Sequence, residues 1–243
     1  MTGTALFVGL STLDIAYLVQ TYPQEDSKTR AVDQYIGAGG PAANAAVTYA
    51  FLSNQTSTLL TALGKHTLTE LVRADLNTHN VKILNAASNG SSLPPISSIV
   101  IAKKSDSRTI FSLDTTRTQA SFHDSFRSIL HREVDIVLTD GHYAELSMNI
   151  ARDARKLGIP VLLDPGRWKD NFAELLPLVD IAICSSAFSP PELGEASADA
   201  KLDFVHFLGP QSVAITRGPQ PILYRQVKDE VRRSLTKLQQ WTR

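Results

Sequence analysis

The sequence predicts an α/β fold: a mainly parallel, doubly wound sheet with a second, smaller sheet covering it. Short β-branched apolar runs alternate with segments of helical period, the pattern of βαβ units around a parallel sheet. Two segments, 28–36 and 94–114, interrupt that alternation with strand-like runs of their own. Finally, 243 residues with 43% hydrophobic content can bury a substantial core, so the chain reads as a single domain over residues 1–243, or as a domain with a small appendage.

Taken in order, "TALFVGL", opening at Thr4, predicts the first strand. "SKTRAVDQYI" leads into "GAGGPAANAAV" (37–47), where three glycines and a proline precede an alanine-rich helix start. Pro41 suits a first helical turn, which has no N–H partner to lose, and glycine allows a tight turn or a close backbone approach. "STLLTAL" (57–63) is the next core strand. "PPISSIVIAKKSDSRTIFSLD" (94–114) places two strand-like runs around "KKSDS", a hairpin whose charged turn faces solvent. "VDIVLTD" (134–140) precedes the clearest helix, 143–158, whose Leu146, Ile150, Ala154 and Leu157 fall on one stripe. Gly158 and Pro160 stop it. "IPVLLD", "VDIAIC" and "QSVAIT" complete the parallel strands. At the end, "RQVKDEVRRSLTKLQQWTR" repeats Val227, Val231, Leu235, Leu238 and Trp241 at helical spacing, with six basic and two acidic residues. As a basic amphipathic helix it would contact a partner or an anionic surface, or cover a sheet edge; its periodicity is also compatible with the accident of a frameshifted tail.

Composition excludes several functions. The 24 basic and 24 acidic residues cancel, which leaves no nucleic-acid footprint and no membrane-surface field. Cys184 stands alone, so there is no intrachain disulfide framework; without a CxxC or a Cys/His cluster it reads as a buried structural thiol in a reducing compartment. The N-terminus lacks the basic region of a signal peptide, and no apolar run reaches membrane-spanning length. A cytoplasmic protein is the expectation.

The glycine loop admits three readings from spacing. As a dinucleotide fingerprint, Gly37, Gly39 and Ala42 satisfy G-x-G-x-x-A, but the acidic residue required about twenty positions on is absent from "NQTSTLL". As a phosphate loop, Lys65 follows Gly64, but Leu59 occupies the position of the earlier glycine. A tight turn packing a helix start against a strand remains open.

Gly39, Gly40, Ala42, Asn44, Ala46 and Ser53, followed by a strand ending near Gly64, resemble the N-terminal signature of the ribokinase-like (PfkB) carbohydrate kinases. Pro41 replaces a lysine or asparagine common in some subfamilies, and the last glycine comes one residue late. The resemblance implies a ribokinase-like parallel-sheet core with a small β-lid formed by segments 15–36 and 94–114, and a homodimer through that lid as a possible assembly. It implies ATP with Mg2+ as cofactors and a sugar or polyol as small-molecule partner. Asp14, in "FVGLSTLDIAYLV", would bind sugar hydroxyls, since a carboxylate accepts two donors at once; a helix cap or turn residue is the alternative. Gly39, Gly40 and Asn44 would complete the sugar pocket. In "VAITRGPQPILYR", Thr216 and Gly218 would line the nucleotide site, with Arg217 either facing phosphate or solvated. Asp140 and Asp164 stand where βα loops leave parallel strands, as site residues or as caps.

Two departures from the family bear on activity. Where an N-x-x-E motif is usual after "DIAIC", the chain reads "SSAFSPPE": Ser185 replaces the asparagine and Phe188 the glutamate, which leaves Glu192 as the nearby acid. No Gly-Ala-Gly-Asp occurs in the 243 residues. In the family that motif supplies the anion hole for the transferring phosphoryl group and the base that takes the attacking hydroxyl's proton. The expectation is therefore a kinase fold missing its C-terminal part, with phosphorylation impaired or absent. The alternative is a non-catalytic sugar-binding or interaction protein derived from such a kinase.

Overall fold

The computed structural model describes residues 4–88, 90, 93–113, 118–131, 134–194, 196–226 and 229–235. In chain order, β1 (Thr4–Val8), β2 (Thr12–Val19) and β3 (Asp33–Gly39) precede α1 (Pro41–Ser53). Then come β4 (Ser57–Thr61), α2 (Thr67–Thr78), β5 (Val81–Asn85), β6 (Ile96–Ala102) and β7 (Ser107–Ser112). The remainder is α3 (Asp124–Leu130), β8 (Val134–Thr139), α4 (Ala144–Lys156), β9 (Val161–Leu163), α5 (Phe172–Leu175), β10 (Ile181–Ser185), α6 (Ala198–Phe207), β11 (Ser212–Arg217), β12 (Gln220–Gln226) and β13 (Asp229–Leu235). The chain divides into two compact units, residues 9–122 and residues 1–8 with 123–243.

In the second of these units the strands run in the order β13-β12-β11-β10-β9-β8-β1. The four pairs from β1 to β11 are parallel, and β11-β12 and β12-β13 are antiparallel. One face of this sheet is closed: Leu6, Val137, Val161, Ala182, Cys184 and Val213 share it and are all fully buried, whereas Ile183, on the other face of β10, is exposed. On α4, Leu146, Ile150 and Ala154 face the core as the spacing requires. Leu157 does not. The helix stops at Lys156, Leu157 is its C-cap at 42% exposure, and Gly158 at φ 70° turns the chain away.

The terminal segment also departs from its sequence reading. Residues 229–235 form a strand rather than a helix, paired antiparallel with β12 so that Gln226 faces Asp229 and Tyr224 faces Arg233. The helical spacing loses to backbone pairing because β12 otherwise presents an open edge of N–H and C=O groups. Val227, Leu238 and Trp241 lie outside the described residues.

Residues 9–122 hold a four-stranded sheet, β3-β2-β6-β7, and the parallel pair β4-β5 with α1 and α2. The 94–114 segment supplies the hairpin β6-β7, and β2 and β3 pair antiparallel. Register sorts one face into rows, because directly opposed residues share a face. Gly37, Asp14, Ser97 and Ser112 form one row; Tyr35, Ala16, Ile99 and Ile110 form the next. Gly40 starts α1 at φ 95°, and a Cβ there would lie 2.5 Å from the Leu10 carbonyl oxygen. Buried Ala42, Ala43, Ala46 and Ala50 present a helix face without bulk, which packs on β3 and β4.

Candidate functional site

In residues 9–122 the chemistry gathers around the glycine strand. Asp14 lies within β2, opposite Gly37, and neither caps a helix nor closes a turn. Its Oδ1 accepts a hydrogen bond from the Thr12 hydroxyl at 2.5 Å. Gly39 is opposite Thr12, and a methyl group there would overlap the Asp14 carboxylate. The carboxylate therefore lies directly across bare backbone. Asn44 occupies the first turn of α1, exposed, with its N–H bonded to the Gly40 carbonyl at 2.9 Å. The structure thus brings Asp14 and Gly39 into contact and places Asn44 one turn along the helix that Gly40 begins.

Two further residues join this cluster. The Tyr35 side chain folds back along β3, so that a Cβ at Gly37 would lie 2.5 Å from its Cζ and 3.0 Å from Oδ2 of Asp75 on α2. That same Oδ2 accepts the Ala38 N–H at 2.7 Å. Burial, then the charges of Asp75 and Asp14, push the Tyr35 phenol up from its ordinary value. Sequence reasoning missed both residues. The two-residue period linking Tyr35 to Gly37 was a usable signal; Asp75, a lone carboxylate on α2, gave none.

The other unit carries the remaining candidates. Thr216, near the end of β11, donates its hydroxyl to the Cys184 carbonyl at 3.4 Å. Gly218, in the β11-β12 turn at φ 58°, has open space beside its Cα. Arg217 is half-buried, and its Nε and Nη2 both donate to the Pro221 carbonyl, at 2.8 and 2.6 Å, closing the hairpin. The Ser185 hydroxyl donates to the Gly166 carbonyl at 2.7 Å. Phe188 is fully buried, with ring centroids 5.6 Å from Trp168 and 6.2 Å from Phe172. Glu192 is exposed in a turn.

Asp140 and Asp164 stand at the C-terminal ends of β8 and β9, the binding edge of a parallel sheet. Asp140 is fully buried and takes the His142 N–H on Oδ1 at 2.9 Å, while Lys169 donates to its carbonyl at 3.2 Å. Burial, and then the charge of Asp140, raise the Asp164 carboxyl above the usual carboxylate range. The Cys184 thiol is buried and pushed up to about 12, first by burial, which makes it an inert core group. Among the described residues no group of three or more His, Cys, Asp or Glu side chains could hold a metal ion, and no helix is long and apolar enough to cross a membrane.

A profile of the pfkB family carbohydrate kinases matches residues 4–237. No curated protein matches the chain. Among solved structures, a proposed ribokinase from Agrobacterium tumefaciens is 21% identical with a TM-score of 0.81, the match covering 99% of this chain and 78% of that one. The ribokinase of Arabidopsis thaliana, in complex with ribose and ATP, is 20% identical with a TM-score of 0.72, covering 99% and 80%. A ribokinase from Thermotoga maritima is 17% identical with a TM-score of 0.75, covering 98% and 80%. At these identities the likeness establishes the ribokinase-like fold.

Proposed function

The chain belongs to the pfkB family of carbohydrate kinases, and on that premise we propose that Asp14, with the Gly39–Gly40 backbone and Asn44, holds a sugar or sugar-like polyol of the kind the family phosphorylates from ATP. The observation that carries this reading is the contact at Gly39: any side chain there would displace the Asp14 carboxylate. A carboxylate laid over bare backbone, with one oxygen fixed by Thr12 and the other turned to the glycine strand, suits paired hydroxyl donors.

Thr216 and Gly218 are the nucleotide-facing residues of this reading, because the glycine turn leaves backbone open for close approach. The residues after β10 do not fit a magnesium site of the family kind. Phe188 offers no oxygen and sits inside an aromatic cluster, and the Ser185 hydroxyl is committed to Gly166. Phosphoryl transfer needs an acceptor for the attacking hydroxyl's proton and donors for the developing charge. No Gly-Ala-Gly-Asp stands in the given sequence to supply them, so on this reading these residues bind a sugar and transfer phosphate poorly or not at all. The buried Phe188 also favours a second reading, a sugar-binding protein without catalysis. A cytoplasmic location belongs to the same proposal, as does pairing of two copies through the lid face that exposes Ile36 and Phe111.

The test is calorimetric titration with D-ribose, D-fructose, D-glucose and adenosine. Asp14→Ala removes a charge-assisted hydrogen bond worth roughly 1.5 to 3 kcal/mol, so affinity should fall about ten- to a hundredfold. Unchanged binding by both Asp14→Ala and Asn44→Ala would sink the pocket assignment.

A further inference from the structure

We propose that Tyr35 is a substrate-contacting residue whose phenol donates to the sugar hydroxyl held by Asp14, and that Asp75 is the positioning residue fixing the strand beneath it. The proposal rests on the reading of Asp14 given above. An ionised carboxylate only accepts hydrogen bonds, so a sugar hydroxyl bound to Asp14 commits its O–H donor there and keeps lone pairs that can accept from another donor. Thr12 does not provide one, because its hydroxyl already donates to Asp14 Oδ1.

Tyr35 is placed to do so. It lies on the same sheet face as Asp14, two residues before Gly37, which is Asp14's direct partner across β2-β3. Its ring lies flat enough over Gly37 that a Cβ there would overlap the phenol oxygen. The hydroxyl is thereby carried out of the row of Tyr35, Ala16, Ile99 and Ile110, whose other side chains are all apolar, and toward the polar row containing Asp14 and Ser97. Only glycine at 37 permits this. Tyr35 remains 55% exposed, so a ligand can reach it. A phenol is protonated at neutral pH at its ordinary value of about 10, the form that donates, and the shift here is upward.

Asp75 acts through the backbone and through its charge. Its Oδ2 holds the Ala38 N–H at 2.7 Å, tying the unpaired edge of β3 to α2. It also lies 3.0 Å from the position of a Cβ at Gly37, beside the phenol.

Calorimetry with D-ribose, D-fructose, D-glucose and adenosine on the wild-type chain, Asp14→Ala, Tyr35→Phe, Asp75→Asn and Asp75→Ala tests the proposal. Tyr35→Phe deletes one neutral donor from an exposed side chain, so the affinity for whichever probe binds should fall about three- to tenfold while the melting temperature holds. A tyrosinate absorbance titration gives the second readout. The step missing in Tyr35→Phe should move to lower pH in Asp75→Asn, which keeps an oxygen for Ala38 and removes only the charge. Wild-type affinity in Tyr35→Phe, together with loss in Asp14→Ala, overturns the Tyr35 assignment and leaves the pocket standing. An unmoved tyrosinate step in Asp75→Asn overturns the charge contact between Asp75 and the phenol, and wild-type probe affinity in Asp75→Ala, which removes the acceptor of the Ala38 N–H, overturns its positioning role. Failure of the wild-type chain to bind any of the four probes overturns the pocket reading, and this proposal with it.

Discussion

Asp164 ends β9 with its carboxyl held above the usual range, by burial and then by the negative charge of Asp140. The sign of its effect on stability follows from linkage. A carboxyl whose folded value is raised binds its proton more tightly when folded. Its contribution is therefore fully present below the ordinary carboxylate value, about 3.9, and is lost as pH rises through the folded value. Ionising the group therefore costs the fold stability. Asp164→Asn should accordingly raise the melting temperature at pH 7, with the gain shrinking toward zero near pH 4. Thermal melts at both pH values check this. A loss at pH 7, or an equal gain at both, would show that the Asp164 charge is compensated by its neighbours.

At the scale of elements, the entry to α1 leaves no room for a side chain beside backbone. Gly40 and Gly158 both take positive φ, 95° and 70°, so alanine at either is strained by about 1 to 3 kcal/mol. Their surroundings differ. A Cβ at Gly158 meets open space, whereas one at Gly40 would press on the Leu10 carbonyl at 2.5 Å and on Ser11 Cα at 3.0 Å. Backbone cannot swing aside as a side-chain tip can. Gly40→Ala should therefore cost about 1 to 3 kcal/mol more than Gly158→Ala, and should disturb sugar binding as well. Urea unfolding of the two variants decides it; equal midpoints would mean that β2 and α1 shift apart freely.

For the whole molecule the prediction concerns turnover. The purified 243-residue chain should not transfer phosphate from ATP to a sugar at rates typical of kinases, about 1 to 100 per second. Oxyanion-type donors contribute about a hundred- to a thousandfold and a general base about a hundred- to ten-thousandfold, and no residue of this chain is assigned to either role. A coupled ADP-release assay over pentoses, hexoses and nucleosides measures it. Robust sugar-dependent release that vanishes in Asp14→Ala would show that another residue has taken the base's role.

The sequence by itself determined what is local and periodic. Apolar runs of strand length became β1, β4, β8, β9, β10 and β11 because short runs rich in β-branched and apolar residues fit a pleated surface that buries at least one face. The glycines at 39 and 40 announced a close approach because nothing else tolerates one, although they did not say what approaches. Leu157 and the last segment were misread for one reason: periodicity reports which residues could share a face, not where a helix stops or which edge offers a partner. Gly158 turns the chain one residue after Leu157, and β12 recruits residues 229–235 through backbone bonds that any side-chain pattern can make. Only the tertiary structure decided that Asp14 lies over Gly39, that Arg217 closes its own hairpin and that Phe188 joins an aromatic core. It alone also brought Tyr35 and Asp75 together at Gly37, because α2 meets β3 across 37 residues of chain, a distance over which hydrophobic period carries no information about polar contacts.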